Sequence, residues 1–253
     1  MKLLYLTVDL LSVSVPLLFS FHPKIRFHKT WKALFTAILS VALPFLIMDS
    51  LFTAHGVWSF NPAYIAGIFL LNLPIEEVIF FICIPFACLF TFYCLDKFYN
   101  LSWNPKAENI FFILFSVALL ITGWIFRQKI YTSSTFISTA VLCLLLKFAL
   151  HISWFGKAVS VYAILIFPFL LVNGILTGTG IAAPVVSYNP LYHLGIRVMT
   201  IPVEDFIYGF ELFLLNLALY LRLNKPIPLR NSNNRPHGFG SENNNHNAKY
   251  KVV

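Results

Sequence analysis

Charged residues are unusually rare in this chain. Only 11% of its 253 residues are charged and only ten are acidic, whereas a soluble domain has about 25% charged residues. Hydrophobic residues make up 58% of the chain and include 27 phenylalanines. This is more apolar surface than one water-soluble core can bury, so the composition excludes an ordinary soluble domain and indicates a protein that faces lipid.

Several familiar motifs are also missing. The sequence has no Asp-Asp-x-x-Asp set for a diphosphate-bound magnesium, no Walker loop and no histidine-rich box for a di-iron centre. Its four cysteines lack metal-ligand spacing and suggest no disulfide framework. A Gly-x-Gly-x-x-Ala match at 178–183 follows an apolar run rather than a βαβ unit, so it does not predict a dinucleotide site. These absences disfavour an isoprenoid diphosphate synthase, an ATPase and a desaturase or hydroxylase.

Continuous apolar runs predict membrane-spanning helices. Crossing a bilayer takes about 20 mostly apolar residues, and continuous runs favour helices over alternating strands. The sequence therefore predicts an all-α integral membrane protein with a membrane domain over 1–223, followed by an Asn-rich, disordered cytoplasmic tail over 224–253. The seven predicted transmembrane helices cover about 3–20, 33–52, 74–95, 109–126, 133–150, 159–176 and 201–222.

Basic residues indicate the orientation of these spans. When the loops are assigned to alternating sides, one side and the tail hold 14 Lys and Arg residues and the other side holds four. The positive-inside rule places the richer side in the cytoplasm, so the N-terminus is expected outside and the C-terminus inside, in a bacterial inner membrane. The net charge of +8 is then a signal of topology in a lipid bilayer and not of nucleic-acid binding.

The sequence contains an internal duplication. Residues 59–81, SFNPAYIAGIFLLNLPIEEVIFF, align without a gap with residues 187–209, SYNPLYHLGIRVMTIPVEDFIYG, and nine of 23 positions are identical. The second copy lies four spans after the first, so both cross the membrane in the same direction as a parallel repeat of spans one to three and five to seven. Such halves, here about 1–100 and 127–223, often face each other across a shared cavity.

Each copy of the repeat carries a pair of acids behind a proline. Glu76 and Glu77 begin the third span, and Glu204 and Asp205 begin the seventh. They could be simple helix-start acids near the positive end of the helix dipole. However, ionisable groups at membrane depth are costly and usually mark function. Because neighbouring helical residues point about 100° apart, one acid of a pair can face a cavity while the other contacts backbone or an arginine.

Other polar residues could support these acids. In the second copy Glu204, Tyr208 and Glu211 recur on one helix face, whereas the counterpart of Glu211 is Cys83, so the halves are not equivalent. Asp9 lies mid-span, where function and a hydrogen bond to a neighbouring helix are equally reasonable. Asp49, near the outer end of the second span, could be catalytic or could order the Asn-Pro loop. Tyr64 and Tyr192 could donate hydrogen bonds or anchor at the interface, and Asn61 and Asn189 are further candidates for support.

The residues available suit proton transfer in a dry site. A carboxyl group in apolar surroundings keeps its proton and can act as a general acid, paired carboxyl groups share a proton, and phenylalanine faces stabilise a cation. A small proton-coupled transporter is the alternative, because parallel repeats, proline-started helices and intramembrane acids also fit that class. A purely structural membrane scaffold is the third hypothesis.

The seven spans, the two Asn-Pro-x-Tyr segments, LPIEEVIFF (73–81) and IPVEDFIY (201–208) together resemble the membrane-integral lycopene β-cyclase domains of archaea, fungi and some bacteria, in a fused single-chain form. The resemblance covers about 3–222. It implies an intramolecular lyase (isomerase) of carotenoid biosynthesis that closes the ψ ends of lycopene to β-ionone rings, giving γ-carotene and then β-carotene. Lycopene and related acyclic carotenoids are the implied substrates, and other carotenoid enzymes are candidate partners.

The same resemblance implies a redox-neutral reaction without flavin, so we expect no cofactor and no metal ion. A protonated carboxyl group adds a proton to the terminal double bond, the next double bond attacks the cation, and a base removes a ring proton. We expect Glu76 and Glu204 to lead this chemistry, with Glu77 and Asp205 as their partners. Which group is the acid and which is the base stays open.

Overall fold

Seven α-helices make up most of the computed structural model, which describes residues 2–224. They are α1 (Leu4–Phe19), α2 (Trp31–Ala54), α3 (Ile75–Phe98), α4 (Pro105–Ile125), α5 (Ile130–Leu144), α6 (Phe155–Leu176) and α7 (Val203–Leu223). A 3₁₀ turn (Phe27–Thr30) precedes α2, and a π-helical segment (Leu145–Ala149) continues α5. Apart from Asn224, the predicted disordered tail lies outside the described residues.

The helices have the length and apolarity of membrane spans. Six of the helices described are long and apolar enough to cross a membrane. The exception is α1, whose 16 residues extend about 24 Å at 1.5 Å per residue, less than the hydrocarbon core of about 30 Å. The predicted all-α integral membrane fold is confirmed, with a first helix shorter than a full span.

Short strands, which the apolar runs did not predict, order the two long loops. They are β1 (Trp58–Phe60), β2 (Phe69–Leu70), β3 (Leu73–Pro74), β4 (Val186–Tyr188), β5 (Arg197–Val198) and β6 (Ile201–Pro202). The pairs β2–β3 and β5–β6 form matching antiparallel hairpins just before α3 and α7, whereas β1 pairs with β4 across the two halves of the chain.

The β1–β4 ladder shows that the duplication is a two-fold symmetry in space. Ser59 lies opposite Ser187, and these two residues are also equivalent in the sequence repeat. Equivalent residues face each other in an antiparallel ladder only where a two-fold axis passes between the strands. The same symmetry relates two side-chain bonds: Asn61 donates to the Pro184 carbonyl (3.3 Å), and Asn189 donates to the Gly56 carbonyl (3.2 Å).

The repeat extends into helices where the sequence similarity is weak. The tripeptide PFL occurs at 44–46 in α2 and at 168–170 in α6, 124 positions later. Tyr5 and Tyr131 occupy the same place at the starts of α1 and α5. Besides packing within its own half, α2 packs against α7 and α6 packs against α3. Each half therefore packs one helix against the other half, and α3 and α7 are in contact at the interface of the halves.

The main packed core lies toward the other end of the bundle from the strands. Aromatic side chains from α3, α4, α6 and α7 fill it together with Phe27, which is fully buried. Two ion pairs lie at this end, Lys147–Glu108 (3.2 Å) and Lys157–Asp96 (2.5 Å). The strand end, where both acidic motifs lie, is therefore the part of the fold available for a site.

Candidate active site

Both acidic motifs are placed by the same local structure. The helices α3 and α7 begin directly after Pro74 and Pro202, whose extended backbone leads from a hairpin strand into the helix. A proline at a helix start loses no hydrogen bond, because the first amide groups of a helix have no partner within it. The expectation that the acids fall in the first helical turn is confirmed.

The first acid of each pair holds its own loop. Glu76 Oε1 accepts the backbone N–H of Ala66 at 2.6 Å, and Glu204 Oε1 accepts that of Leu194 at 2.7 Å. These amides are equivalent in the repeat, and a glycine with positive φ follows each of them. Glu204 also accepts the hydroxyl of Thr132 at 2.5 Å. Both glutamates are fully buried, and neither lines the cavity that lies between the halves.

The second acid of each pair faces that cavity. Glu77 Oε2 accepts the hydroxyl of Tyr5 at 2.6 Å. Asp205 accepts two tyrosine hydroxyls, from Tyr131 at 2.6 Å and from Tyr188 at 2.9 Å. Both carboxyl groups line the cavity. The arrangement agrees with the 100° separation of neighbouring helical residues, because one acid of each pair faces the cavity while the other bonds backbone.

Asp49 joins this group from the end of α2. Its side chain is 3% exposed and lines the cavity together with Glu77 and Asp205. Two carboxyl groups buried in one apolar cavity do not readily ionise together, because burial and like charge both favour a protonated form. The equivalent residue in the other half is Asn173, which also lines the cavity.

The cavity has a volume of about 190 Å³ and is mostly apolar. It lies at the interface of the halves, as the parallel repeat predicted. Its lining on α3 runs from Glu77 to Cys88, and the equivalent stretch on α7 runs from Asp205 to Asn216. The eleven helical steps between the two ends of each stretch correspond to about 16 Å. The aromatic side chains around its acidic end are Tyr5, Trp58, Phe60, Phe80, Tyr131 and Tyr188.

The other predicted residues of the second half act in different places. Tyr208 lines the cavity and its hydroxyl has no hydrogen-bond partner. Glu211 faces α5, where Ser138 and Thr139 donate to it at 2.8 and 3.2 Å. Because Glu204 bonds Thr132 on α5 and Tyr208 packs against Tyr131, the predicted common face of Glu204, Tyr208 and Glu211 is the face toward α5.

The predicted loop residues take part in backbone hydrogen bonds. Asn61 and Asn189 each accept a backbone N–H two residues later and donate across to the other half. The carbonyls of Tyr64 and Tyr192 accept the backbone N–H groups that begin α1 and α5. Asp9 is fully buried in α1, and both of its carboxyl oxygens lack a hydrogen-bond partner. None of these five residues lines the described cavity.

Sequence reasoning missed the tyrosines that hold the acids. Tyr5 and Tyr131 lie near the ends of apolar runs, where tyrosine commonly anchors a helix at the membrane interface. Their matching positions relative to the repeated motifs, 126 residues apart, were the signal that could have found them. Tyr188 lies in the repeated segment, but the equivalent residue of the first half is Phe60. Because the tyrosine is not repeated, the duplication did not mark Tyr188 as a site residue.

The electrostatics of the site come from neutral donors. In the described part of the chain the acids of the cavity form no ion pair. Arg197 instead lies over the Tyr188 ring, 5.9 Å from its centre, and donates to the Thr200 carbonyl. Burial, together with the charge of Asp205, raises the pKa of Tyr188 well above its usual value. Tyr188 therefore stays protonated and remains a hydrogen-bond donor.

Residues 2–224 contain no group of three or more His, Cys, Asp or Glu side chains arranged to hold a metal ion. The lycopene cyclase family model matches the chain over residues 2–95 and 128–223. The two segments cover most of the chain and correspond to its two halves.

The chain belongs to the lycopene cyclase family. No curated protein and no solved structure matches it. Family membership identifies a membrane enzyme of carotenoid biosynthesis with a carotenoid substrate, in the fused form that the repeat predicted. It favours the enzyme over the transporter and the scaffold. The roles of individual residues in this lycopene cyclase rest on the geometry described above.

Proposed function

We propose that the enzyme closes the ψ ends of lycopene to β-ionone rings by acid–base catalysis without a cofactor, as an intramolecular lyase. The observation that supports this best is the meeting of three carboxyl groups from both halves, Asp49, Glu77 and Asp205, in one apolar, aromatic cavity. Ring closure of this kind needs a proton donor, a proton acceptor and a dry site that tolerates a carbocation. The cavity supplies each of them.

Asp49 and Glu77 form the acid. Both carboxyl groups are buried and line one apolar cavity, where paired carboxyl groups share a proton, and Tyr5 donates to Glu77 Oε2 at 2.6 Å. Transfer of this proton to the terminal double bond of the ψ end forms a new C–H bond and leaves a tertiary cation. The next double bond attacks the cation and closes the six-membered ring.

Asp205 is the base. Two tyrosine hydroxyls donate to it, and such bonds stabilise a carboxylate. It removes a proton from the ring carbon next to the second cation, and the electron pair of that C–H bond becomes the ring double bond. One proton is gained and one is lost, so the product is an isomer of lycopene and no electron acceptor is needed.

The walls protect the cation between these steps. Trp58, Tyr131 and Phe80 line the acidic end of the cavity, and aromatic faces attract a positive charge. Water would capture the cation as an alcohol, so a site of this kind must exclude it. The low polarity of the lining suits both requirements.

Glu76 and Glu204 act as positioning residues in this proposal. Each holds the loop that precedes its helix through a backbone N–H, so each fixes the rotation with which its neighbour enters the cavity. This reverses the order expected from sequence, in which Glu76 and Glu204 led the chemistry. The partners predicted there, Glu77 and Asp205, become the reacting groups.

The cavity fits one end of the substrate at a time. Pockets that enclose a drug-sized ligand have volumes of about 300–1,000 Å³, whereas this cavity has about 190 Å³. A ψ end group can enter it while the rest of the polyene lies among the helices or in the lipid. The bilayer, in which lycopene dissolves, delivers the substrate.

We also propose that the acidic end faces the outer side of a bacterial inner membrane. The loops at this end contain Lys2, Arg127, Lys129 and Arg197, and the other 14 basic residues belong to the opposite side or the tail. The positive-inside rule then leaves the C-terminus in the cytoplasm. Association with other carotenoid enzymes and the division into halves at 1–100 and 127–223 stay predictions.

Expression in a bacterium that accumulates lycopene tests the proposed function. We expect the cells to change from red to orange-yellow and chromatography to show γ-carotene and β-carotene at the expense of lycopene. Membranes without the protein serve as the control. Unchanged lycopene in cells whose membranes contain the protein would rule out the β-cyclase, and altered proton-coupled uptake in such cells would favour the transporter.

A further inference from the structure

The cavity departs from the two-fold symmetry of the helices around it. On α3 and α7 it is lined by equivalent positions, such as Phe80 and Tyr208. The equivalent helices α2 and α6 differ, because α6 lines the cavity along most of its length, from Tyr162 to Leu176. The equivalent helix α2 contributes Asp49 alone. A symmetric fold thus encloses a one-sided cavity.

One pair of repeat positions accounts for the difference. Gly209 on α7 lines the cavity beside Tyr162 and Phe169 of α6. Its counterpart on α3, 128 positions earlier, is Phe81, which is 1% exposed. Phe81 packs against Phe45 of α2 with ring centres 5.9 Å apart. The space that Gly209 leaves open on one side is therefore occupied by an aromatic ring on the other.

The cavity is open at Pro168 of α6. This residue lines the cavity and is exposed. A proline inside a helix lacks the N–H that would bond the preceding turn, which loosens the wall at this point. Phe169, next to it, is partly buried and lies opposite Gly209. The position gives a long apolar substrate a lateral route between the acids and the bilayer.

We propose that the enzyme has a single polyene channel, along α6 and α7, and that Gly209 is the residue that keeps it open. This inference rests on the proposed cyclase function and adds to it. Each entry into the channel brings one ψ end to Asp49, Glu77 and Asp205, so each visit closes one ring. The second ring requires γ-carotene to leave, turn around and enter again.

A methyl group at position 209 tests the channel. The Cβ of Gly209→Ala lies 2.9 Å from the Tyr162 hydroxyl and 3.3 Å from the Phe169 ring, so both side chains must shift at the channel wall. We expect conversion of lycopene to fall about tenfold or more, since misplacing a substrate by about 1 Å can cost 10²-fold. Gly123→Ala is the matched control, because its Cβ meets Ile137 at 2.7 Å in a helix contact away from the cavity.

Isotope dilution in the unmodified enzyme gives a test that does not depend on how a variant folds. Membranes containing the enzyme receive labelled lycopene and a tenfold excess of unlabelled γ-carotene. A single channel predicts that the label in β-carotene is diluted by the added γ-carotene, or that the reaction stops at labelled γ-carotene. Undiluted label in β-carotene, or full activity of Gly209→Ala at equal membrane levels, would overturn the proposal.

These outcomes separate the two proposals. If the unmodified enzyme leaves lycopene unchanged, the proposed function is wrong, and the channel proposal, which rests on it, is wrong as well. If it forms β-carotene without dilution of the label, the cyclase stands and the single channel fails.

Discussion

At the scale of single residues, the site depends on which way neighbouring acids point. Glu76 and Glu77 differ by one position, yet Glu76 bonds the backbone of Ala66 and Glu77 faces the cavity beside Asp49. The sequence predicts that the two must diverge, because their directions differ by about 100°. It does not predict which one faces inward, since the rotation of α3 is set by packing against helices distant in the chain.

The two tyrosines on Asp205 give the first prediction. Tyr131→Phe and Tyr188→Phe each remove one donor from this carboxylate. We expect turnover to fall about 10- to 100-fold for each, because a hydrogen bond to a charged group contributes about 1.5–3 kcal/mol. The rate is measured as lycopene consumed by membranes of matched protein content.

Tyr192→Phe is the control for these two variants. Tyr192 lies in the same loop as Tyr188. Its backbone carbonyl accepts the N–H of Tyr131 at the start of α5, and the substitution keeps this bond. Turnover at the unmodified rate in the double variant of Tyr131 and Tyr188 would contradict the role of these donors.

At the scale of elements, the β1–β4 ladder joins the halves on the two-fold axis. Ser59 and Ser187 lie opposite each other there and are both exposed. Directly opposite residues of an antiparallel pair have Cα atoms about 4.5–5.5 Å apart, within the range of a disulfide. We expect the double variant Ser59→Cys, Ser187→Cys to cross-link under mild oxidation and to migrate faster on a non-reducing gel.

Each single cysteine variant is the control for this cross-link, because the four native cysteines are the same in all of them. A double variant that stays reduced under conditions that oxidise an accessible dithiol would contradict the ladder and the symmetry derived from it.

The loop before α7 contains a pH-sensitive element. His193 is buried, its Nδ1 accepts the N–H of Gly195 at 3.0 Å, and burial lowers the pKa of its imidazole. The unfolded chain therefore binds a proton more readily, so stability is lost as the pH falls below about 6.5, the usual histidine value. His193→Ile, which introduces the residue found at the equivalent position 65, should lose less stability between pH 8 and pH 5.

Thermal unfolding of the purified protein in detergent measures this difference. The comparison at pH 8, where the histidine is neutral, shows the effect of the substitution alone. An equal drop in unfolding temperature between pH 8 and pH 5 in both proteins would show that His193 is not the sensor.

Elements differ in how far the sequence predicts them. Long apolar runs predict the helices because burial in lipid requires about 20 apolar residues, and the in-register repeat predicts that the halves meet. The hairpins before α3 and α7 were not predicted, because two-residue strands leave no periodicity to detect. The cavity tyrosines were not predicted either. A tyrosine near the end of a span can anchor the helix at the interface or donate a hydrogen bond to a buried acid, and the sequence looks the same in both cases.

At the scale of the whole molecule, the parallel repeat places both acidic motifs at the same end of the bundle. The positive-inside rule assigns this end to the outside. A membrane-impermeant thiol reagent should therefore label the single variant Ser59→Cys in intact cells. It should label Lys24→Cys, in the exposed loop between α1 and α2, only after the membrane is permeabilised.

The unmodified protein gives the background from its native cysteines. The opposite pattern, in which Lys24→Cys reacts in intact cells and Ser59→Cys does not, would invert the proposed topology and place the ring-forming site on the cytoplasmic side.

The most direct test of the account compares two adjacent glutamates in lycopene-accumulating cells. Glu77→Gln removes a carboxyl group that faces the cavity and should lower ring formation about 10²-fold or more, as expected for loss of a general acid. Glu76→Gln keeps an oxygen that accepts the Ala66 N–H and should retain most of the conversion at equal membrane levels. Full conversion by Glu77→Gln together with loss of conversion by Glu76→Gln would contradict the account.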